Sequence, residues 1–400
     1  MKDLAQRGAL VGLGIVVALL VTEILLRALG FSVPLYYEPD PQLGWTLRPG
    51  ASGWYTDEGR AFLQVNSVGM RDREHREAKA EGVYRIEVLG DSYSEAKQVA
   101  IDSTYWSLLP DHLARCGFQA GKPTEVLNFG VSGYGTAQEL ILLRVLAARY
   151  EPDLVLLQFT GSNDVRNNSR SLEPGKNRPF FVLNAEGKLD LDDSFVEQPS
   201  FRRVASPVWR AYRRLAPYSR FVQLLRAGTH KSNIQQRQAR IVTAEAGLDE
   251  AELSPPRDRE WEEAWRVTEA LIAEVSQEAA RHHARTLVVT VPWPAQVHPT
   301  AQAREAFAKR VGVPDLGYPD RRIEAFGKAH DIPVLALAPG MGQAAEAEAT
   351  FLHGFGNHLG IGHWNAAGHR VAAGLIAGAL CSGSFGAPSQ APALVAALPD

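Results

Sequence analysis

The chain has 400 residues, enough for a core domain with accessory segments. With 45% hydrophobic and 22% charged residues it is not a disordered chain, and a net charge of −3 gives no global attraction to nucleic acid. Its two cysteines, Cys116 and Cys381, exclude a disulfide scaffold and most structural zinc sites.

Residues 8–22, GALVGLGIVVALLVT, carry no charge, and apolar character continues past Glu23 through ILLRALGF. The stretch is about as long as the ~20 residues a spanning helix needs. Lys2 and Arg7 precede it, which keeps the N-terminus cytoplasmic and exports the rest. A cleaved signal peptide is the competing reading, but LRALGFSVP offers a poor cleavage site. A buried soluble helix is the third. We read residues 1–33 as a cytoplasmic N-terminus and transmembrane anchor, with the remainder outside the cytoplasm. Residues 34–82 are dense in Pro, Gly, Trp and Tyr and lack helical periodicity, as in LYYEPDPQLGWTLRPG. They read as an irregular β-rich collar.

From Val83 strands and helices alternate. VYRIEVLG, EVLNFG and DLVLLQFTG read as strands, STYWSLLPDHLARCGF and GTAQELILLRVLAARY as helices. The alternation breaks over residues 165–260, which show no clear buried strand and read as a helical insertion. Between Pro199 and Ala244 lie ten Lys or Arg residues and no acids, whereas 245–263 hold eight acids against two arginines. These runs are either solvated helix faces or a basic surface for anionic headgroups or an anionic polymer. The pattern then resumes with a helix near 260–283, a strand at 285–292, a helix near 317–330, a strand at 332–338 and a last helix from about Asn365 to Leu380. Residues 83–381 thus form a doubly wound α/β domain with a flavodoxin-like parallel sheet, and 382–400 an unstructured tail.

Active sites in such folds collect beyond the carboxyl ends of the strands. The segments there are LGDSYSEA (89–96), NFGVSGYGT (128–136) and FTGSND (159–164), and GHWNAAGH (362–369) introduces the last helix. Gly-Asp-Ser, N-x-G-x-x-G, Gly-x-Asn-Asp and a C-terminal His, in this order, resemble the four blocks of the SGNH, or GDSL-type, hydrolases. The anchor and collar are similar to those of membrane-tethered bacterial members. The resemblance implies Ser92 as nucleophile, His363 as its base, and Gly133 and Asn163 as oxyanion donors together with the Ser92 N–H. It implies no metal and no organic cofactor. Asp91 reads as a turn-former and Asp164 as structural.

The segment NHLGIGHWNAAGH places His358, His363 and His369 within thirteen residues, yet no acid occurs from Ala349 to Pro399. A zincin signature needs a Glu beside its histidines, so a metal site is disfavoured. His369 reads as structural, and His358 has no assigned role. The family's acid usually lies three residues before the base, sometimes two, where this chain has Gly360 and Ile361. A backbone carbonyl of the Gly-rich loop 354–362 is the substitute we expect. The alternatives are an acid from elsewhere, such as Asp164, or a hydrolase that binds without cleaving. Cys116 and Cys381 end helices on the same sheet face, so a bridge is sterically open, although two free buried thiols are the expectation.

The expected function is therefore an extracytoplasmic serine ester hydrolase. Its partners would be the membrane, through the N-terminal helix, and an ester substrate, an acetylated envelope glycan or a lipid, with no nucleic acid. Location favours an O-acetyl group on an envelope polysaccharide. The competing readings are an O-acyltransferase using the same site and a catalytically weak glycan-binding protein of this fold.

Overall fold

The computed structural model describes residues 2–227 and 250–383. Part of the basic insertion and nearly all of the expected tail lie outside the described residues. The N-terminal helix, Lys2–Ala28, has 25 residues from Leu4 to Ala28 that include an 18-residue window of mean hydropathy 2.6. At ~1.5 Å per residue this is long enough for a ~30 Å hydrocarbon core. Its apolar side chains face outward, Leu10 and Leu13 being 64% and 61% exposed.

The collar is made of two antiparallel hairpins. Strand β1 (Tyr37–Asp40) pairs with β2 (Gly44–Leu47), and β3 (Ser52–Tyr55) with β4 (Ala61–Gln64). Strand β4 alternates buried Ala61 and Leu63 with exposed Phe62 and Gln64, the two-residue period of a half-covered strand.

The central sheet is built from β5 (Tyr84–Leu89), β6 (Thr124–Asn128) and β7 (Leu154–Thr160), followed after the insertion by two more strands. The insertion contributes its own antiparallel hairpin, β8 (Phe180–Leu183) with β9 (Leu189–Asp192). The expectation of no strand there is corrected: Phe180 and Phe181 are buried, but the pair stays outside the main sheet. Its turn is held by the Asn184 side chain, whose Oδ1 accepts from the N–H groups of Glu186 and Lys188. Strands β10 (Arg285–Val291) and β11 (Val334–Ala336) complete a five-stranded parallel sheet in the order β11-β10-β7-β5-β6. That is the flavodoxin-like order, with its switch point at β5 and β7.

All seven residues of β7 are buried, because helices cover both faces. Val155 and Leu157 join one apolar core with Leu140 and Leu271. Leu154 and Leu156 point the other way, into a core with Leu109 and Ile376. Full burial of each such side chain contributes roughly 1.5–3 kcal/mol. The helices Tyr105–Arg115 and Ala366–Cys381 pack together on the second face, capped by Thr104 and Asn365. A Cys116–Cys381 disulfide, with Cα atoms 6.1 Å apart, joins their C-terminal ends. The expectation of free thiols is thereby corrected: the two helices end side by side, close enough to bridge.

Between β11 and the last helix, the segment expected to be a loop is an antiparallel hairpin. Strand β12 (His353–Phe355) pairs with β13 (His358–Trp364). Gly354 has φ +87°, and a Cβ there would lie 1.9 Å from the His358 carbonyl oxygen. Glycine permits this close pairing, and with it the β-geometry that its abundance disguised.

Candidate active site

Ser92 opens the four-residue helix Ser92–Glu95 directly after β5. Asp91 caps this helix, its Oδ1 accepting from the Tyr93 N–H at 3.0 Å. The turn is crowded. A Cβ on Gly90 would sit 2.3 Å from Gln158 Oε1, and one on Gly130 2.4 Å from Ser94 Cβ. These two glycines let the turns after β5 and β6 close on each other.

His363, near the end of β13, reaches Ser92 from the other side. Its Nε2 lies 2.9 Å from Ser92 Oγ. Tyr93 steadies the strand, its hydroxyl donating to the Gly362 carbonyl at 3.3 Å and its ring centred 5.1 Å from the imidazole. His369 makes no hydrogen bond to Ser92 or His363; its Nδ1 accepts from the Tyr105 N–H at the start of the helix Tyr105–Arg115, at 3.3 Å, and burial lowers its pKa to about 3. His358 is exposed at the start of β13. Among the described residues no cluster of three or more His, Cys, Asp or Glu side chains has metal-binding geometry.

The partner of His363 Nδ1 is a carboxylate, not a loop carbonyl. Glu58 Oε2 lies 2.6 Å from Nδ1, and Glu58 Oε1 accepts the His363 backbone N–H at 2.7 Å. Glu58 sits in the turn between β3 and β4, 305 residues from His363. Gly59 beside it has φ +69°, and a Cβ there would lie 2.4 Å from the Gln98 carbonyl oxygen. The glycine thus lets the hairpin tip press into the domain and deliver Glu58. Gln98 Nε2 also donates to Glu58 Oε2, at 3.3 Å.

Burial opposes the charge on each member of this pair, yet the pairing prevails. Glu58 is held below the usual carboxylate range by its bond to and attraction for His363. His363 is raised above the usual imidazole value by the Glu58 hydrogen bond and charge. The Nδ1 proton is therefore fixed toward Glu58, leaving Nε2 to accept from Ser92 Oγ–H. The alternative acid, Asp164, is engaged elsewhere: its Oδ2 accepts from the Thr160 N–H at 2.7 Å, and burial pushes its pKa well up.

Gly133 and Asn163 lie on the rim turns after β6 and β7 and line one cavity of about 620 Å³. Gly133 has φ +80°, a left-handed conformation that glycine adopts without strain. The Asn163 amide Nδ2 is 3.2 Å from Asp91 Oδ2. Among the described residues, the N–H groups of Ser92 and Gly133 have no hydrogen-bond acceptor.

Two further segments hold this rim. From the collar, Trp45 Nε1 donates to the Ser132 carbonyl at 3.1 Å, and its ring lies 3.3 Å from where a Gly133 Cβ would be. From the insertion, Arg178 donates to the Gly133 carbonyl and, at 2.7 Å, to Asn167 Oδ1. Glu95 adds an anchor by accepting the Ser132 N–H at 2.5 Å and the Tyr37 hydroxyl at 2.8 Å. Sequence reasoning passed over Glu58, Trp45 and Arg178. The one available signal was the acidic turn TDEGR between two aromatic-bearing strand segments.

Residues 88–371 match the model of the GDSL-like Lipase/Acylhydrolase family. An arylesterase of Vibrio mimicus is 37% identical over 87 residues, which are 22% of this chain and 41% of that protein. The chain therefore spans less than half the length of this curated relative. Among solved structures, a catalytic mutant of an acetylxylan esterase from Geobacillus stearothermophilus is similar at 9% identity and TM-score 0.38, over 74% of this chain and 94% of the other. A GDSL-like lipase from Bacteroides thetaiotaomicron is similar at 14% identity and TM-score 0.33, over 75% and 88%.

Proposed function

Because the chain belongs to the GDSL-like lipase/acylhydrolase family, we propose that it is a membrane-anchored, extracytoplasmic serine ester hydrolase built on Ser92, His363 and Glu58. The observation that carries this reading is the continuous relay Ser92 Oγ–His363 Nε2 at 2.9 Å and His363 Nδ1–Glu58 Oε2 at 2.6 Å. A serine hydroxyl is almost entirely un-ionised at neutral pH and needs such a base.

Ser92 Oγ attacks the ester carbonyl carbon while His363 Nε2 takes its proton. Glu58 keeps the imidazole in the productive tautomer and stabilises the imidazolium. The oxyanion meets the N–H groups of Ser92 and Gly133 and the Asn163 amide. Collapse breaks the ester C–O bond, and His363 returns its proton to the departing alcohol. Water, activated by His363, then attacks the acyl-serine and releases the acid. The alcohol part, a sugar or a lipid headgroup, faces the polar walls of the cavity at Lys176, Asn177 and Arg178.

Export is supported by the apolar N-terminal helix and by the Cys116–Cys381 bridge, a bond that persists in oxidising compartments. The non-catalytic reading rests on a missing acid, and the Glu58 carboxylate 2.6 Å from His363 Nδ1 weighs against it. The test is p-nitrophenyl acetate turnover with acid-quench mass mapping. Wild type should accumulate an acyl group on Ser92. Unchanged turnover in Ser92→Ala would sink the mechanism.

A further inference from the structure

The insertion carries an apolar surface that the chemistry at Ser92 does not use. Val208, Leu215, Tyr218 and Leu225 are 78%, 67%, 76% and 59% exposed. The helix Pro207–Leu215 carries Val208 and Leu215 of this surface together with Arg210, Arg213 and Arg214. Beside it runs a groove of about 1020 Å³, walled by Leu35, Val204, Val208, Tyr212, Val222 and Leu225. Arg213 and Arg226 stand in the same walls.

The two ends of the groove are fixed by contacts. At one end it shares Trp45 and Asn177 with the cavity that faces Gly133 and Asn163. At the other, its wall is tied to the last turns of the N-terminal apolar helix. Glu23 accepts from the N–H groups of Arg220 and Phe221, both at 3.0 Å. Arg27 Nη2 donates to the Tyr218 carbonyl at 2.6 Å, and the Val33 N–H to Gln223 Oε1 at 2.9 Å. The groove wall therefore adjoins the C-terminal end of that helix.

We propose that this groove takes the hydrocarbon chain of an anionic acyl-ester lipid from the bilayer and presents its ester carbonyl to Ser92. The proposal deepens the reading above, resting on Ser92 as nucleophile and on the N-terminal helix as an anchor. Apolar walls of this extent match a hydrocarbon chain, and the arginines of the neighbouring helix match the anionic surface of the bilayer from which it is drawn. An interfacial helix with an apolar face and a basic edge lies at the headgroup boundary, where such chains begin. In the reaction the Ser92 Oγ–acyl bond forms and the lipid ester C–O bond breaks. The serine proton passes through His363 to the lysolipid hydroxyl, and water then releases the fatty acid.

The test uses the full chain in nanodiscs of phosphatidylglycerol and p-nitrophenyl esters from acetate to dodecanoate. Burial of each methylene is worth roughly fourfold, so kcat/KM should rise steeply with chain length. Val222→Trp, which fills the groove, and Val208→Glu, which charges its exposed wall, should each lower the dodecanoate-to-acetate ratio of kcat/KM by roughly tenfold or more. In a Ser92→Ala background, phosphatidylglycerol with brominated chains should quench Trp209 emission, read as the difference from Trp209→Phe, and phosphatidylcholine should do so less. A flat chain-length profile in an active wild type, or equal effects of both variants on short and long esters, would overturn the groove assignment and leave the catalytic site standing. An unquenched Trp209 would mean that something other than lipid fills the groove, and would also overturn it. No ester turnover with quenching intact would instead defeat the catalytic reading.

Discussion

His363 makes two side-chain hydrogen bonds that point in opposite directions, and their order decides the chemistry. Nδ1 faces a carboxylate and Nε2 a hydroxyl, so the neutral ring is poised to accept from Ser92. Burial alone would lower its pKa, but the bond and charge of Glu58 raise it above the usual imidazole value. A base works only when unprotonated, so kcat/KM should fall as pH drops through that raised pKa. Glu58→Gln removes the charge that raises it. The acidic limb of the pH–rate profile should then move to lower pH while the plateau falls, by up to ~10⁴ if the loss matches that of a serine protease triad. A plateau drop with an unmoved limb would assign the titration to another group. Asn163→Ala should lower kcat by about 10²–10³ with little change in KM, because an oxyanion donor acts in the transition state. Steady-state kinetics checks this; a rise in KM alone would make Asn163 a ground-state contact.

At the level of elements, the collar contributes to the proposed active site. The β3–β4 hairpin delivers Glu58, and Trp45 of β2 braces the Gly133 turn. Gly59 is the hinge of that delivery, at φ +69° with 2.4 Å between its would-be Cβ and the Gln98 carbonyl oxygen. Gly59→Ala should displace the hairpin tip and lower kcat markedly although Glu58 is retained. Melting of the purified variant should show the fold intact; wild-type kcat would mean that the tip adapts. This is also where legibility in the sequence stopped. Strands β5, β6 and β7 announce themselves by apolar runs, and each ends in a polar Gly-bearing turn, so Ser92, Gly133 and Asn163 can be placed by position. Glu58 cannot, because a contact across 305 residues leaves no local pattern. The β12–β13 hairpin was hidden by glycines at 354, 356, 360 and 362, which read as loop but here allow close strand pairing.

Across the whole molecule, the Cys116–Cys381 bridge ties the helix after β5 to the last helix, closing a loop of sequence separation 265. Cys116→Ser with Cys381→Ser should lower stability by about 2–4 kcal/mol, read as a lower denaturant midpoint. Wild type held in reductant should behave likewise, and an unchanged midpoint would show the bridge to be dispensable. The sheet, the collar and the insertion meet at a single rim, so the reading of the molecule turns on whether that rim is a working serine site completed by Glu58. Labelling by a fluorophosphonate tests this most directly, comparing the full chain with Ser92→Ala, His363→Ala and Glu58→Gln. Wild type should be labelled at Ser92, Ser92→Ala not at all, and the other two more slowly by roughly 10²-fold or more. A wild type that resists labelling, or a Glu58→Gln variant labelled at the wild-type rate, would contradict the account.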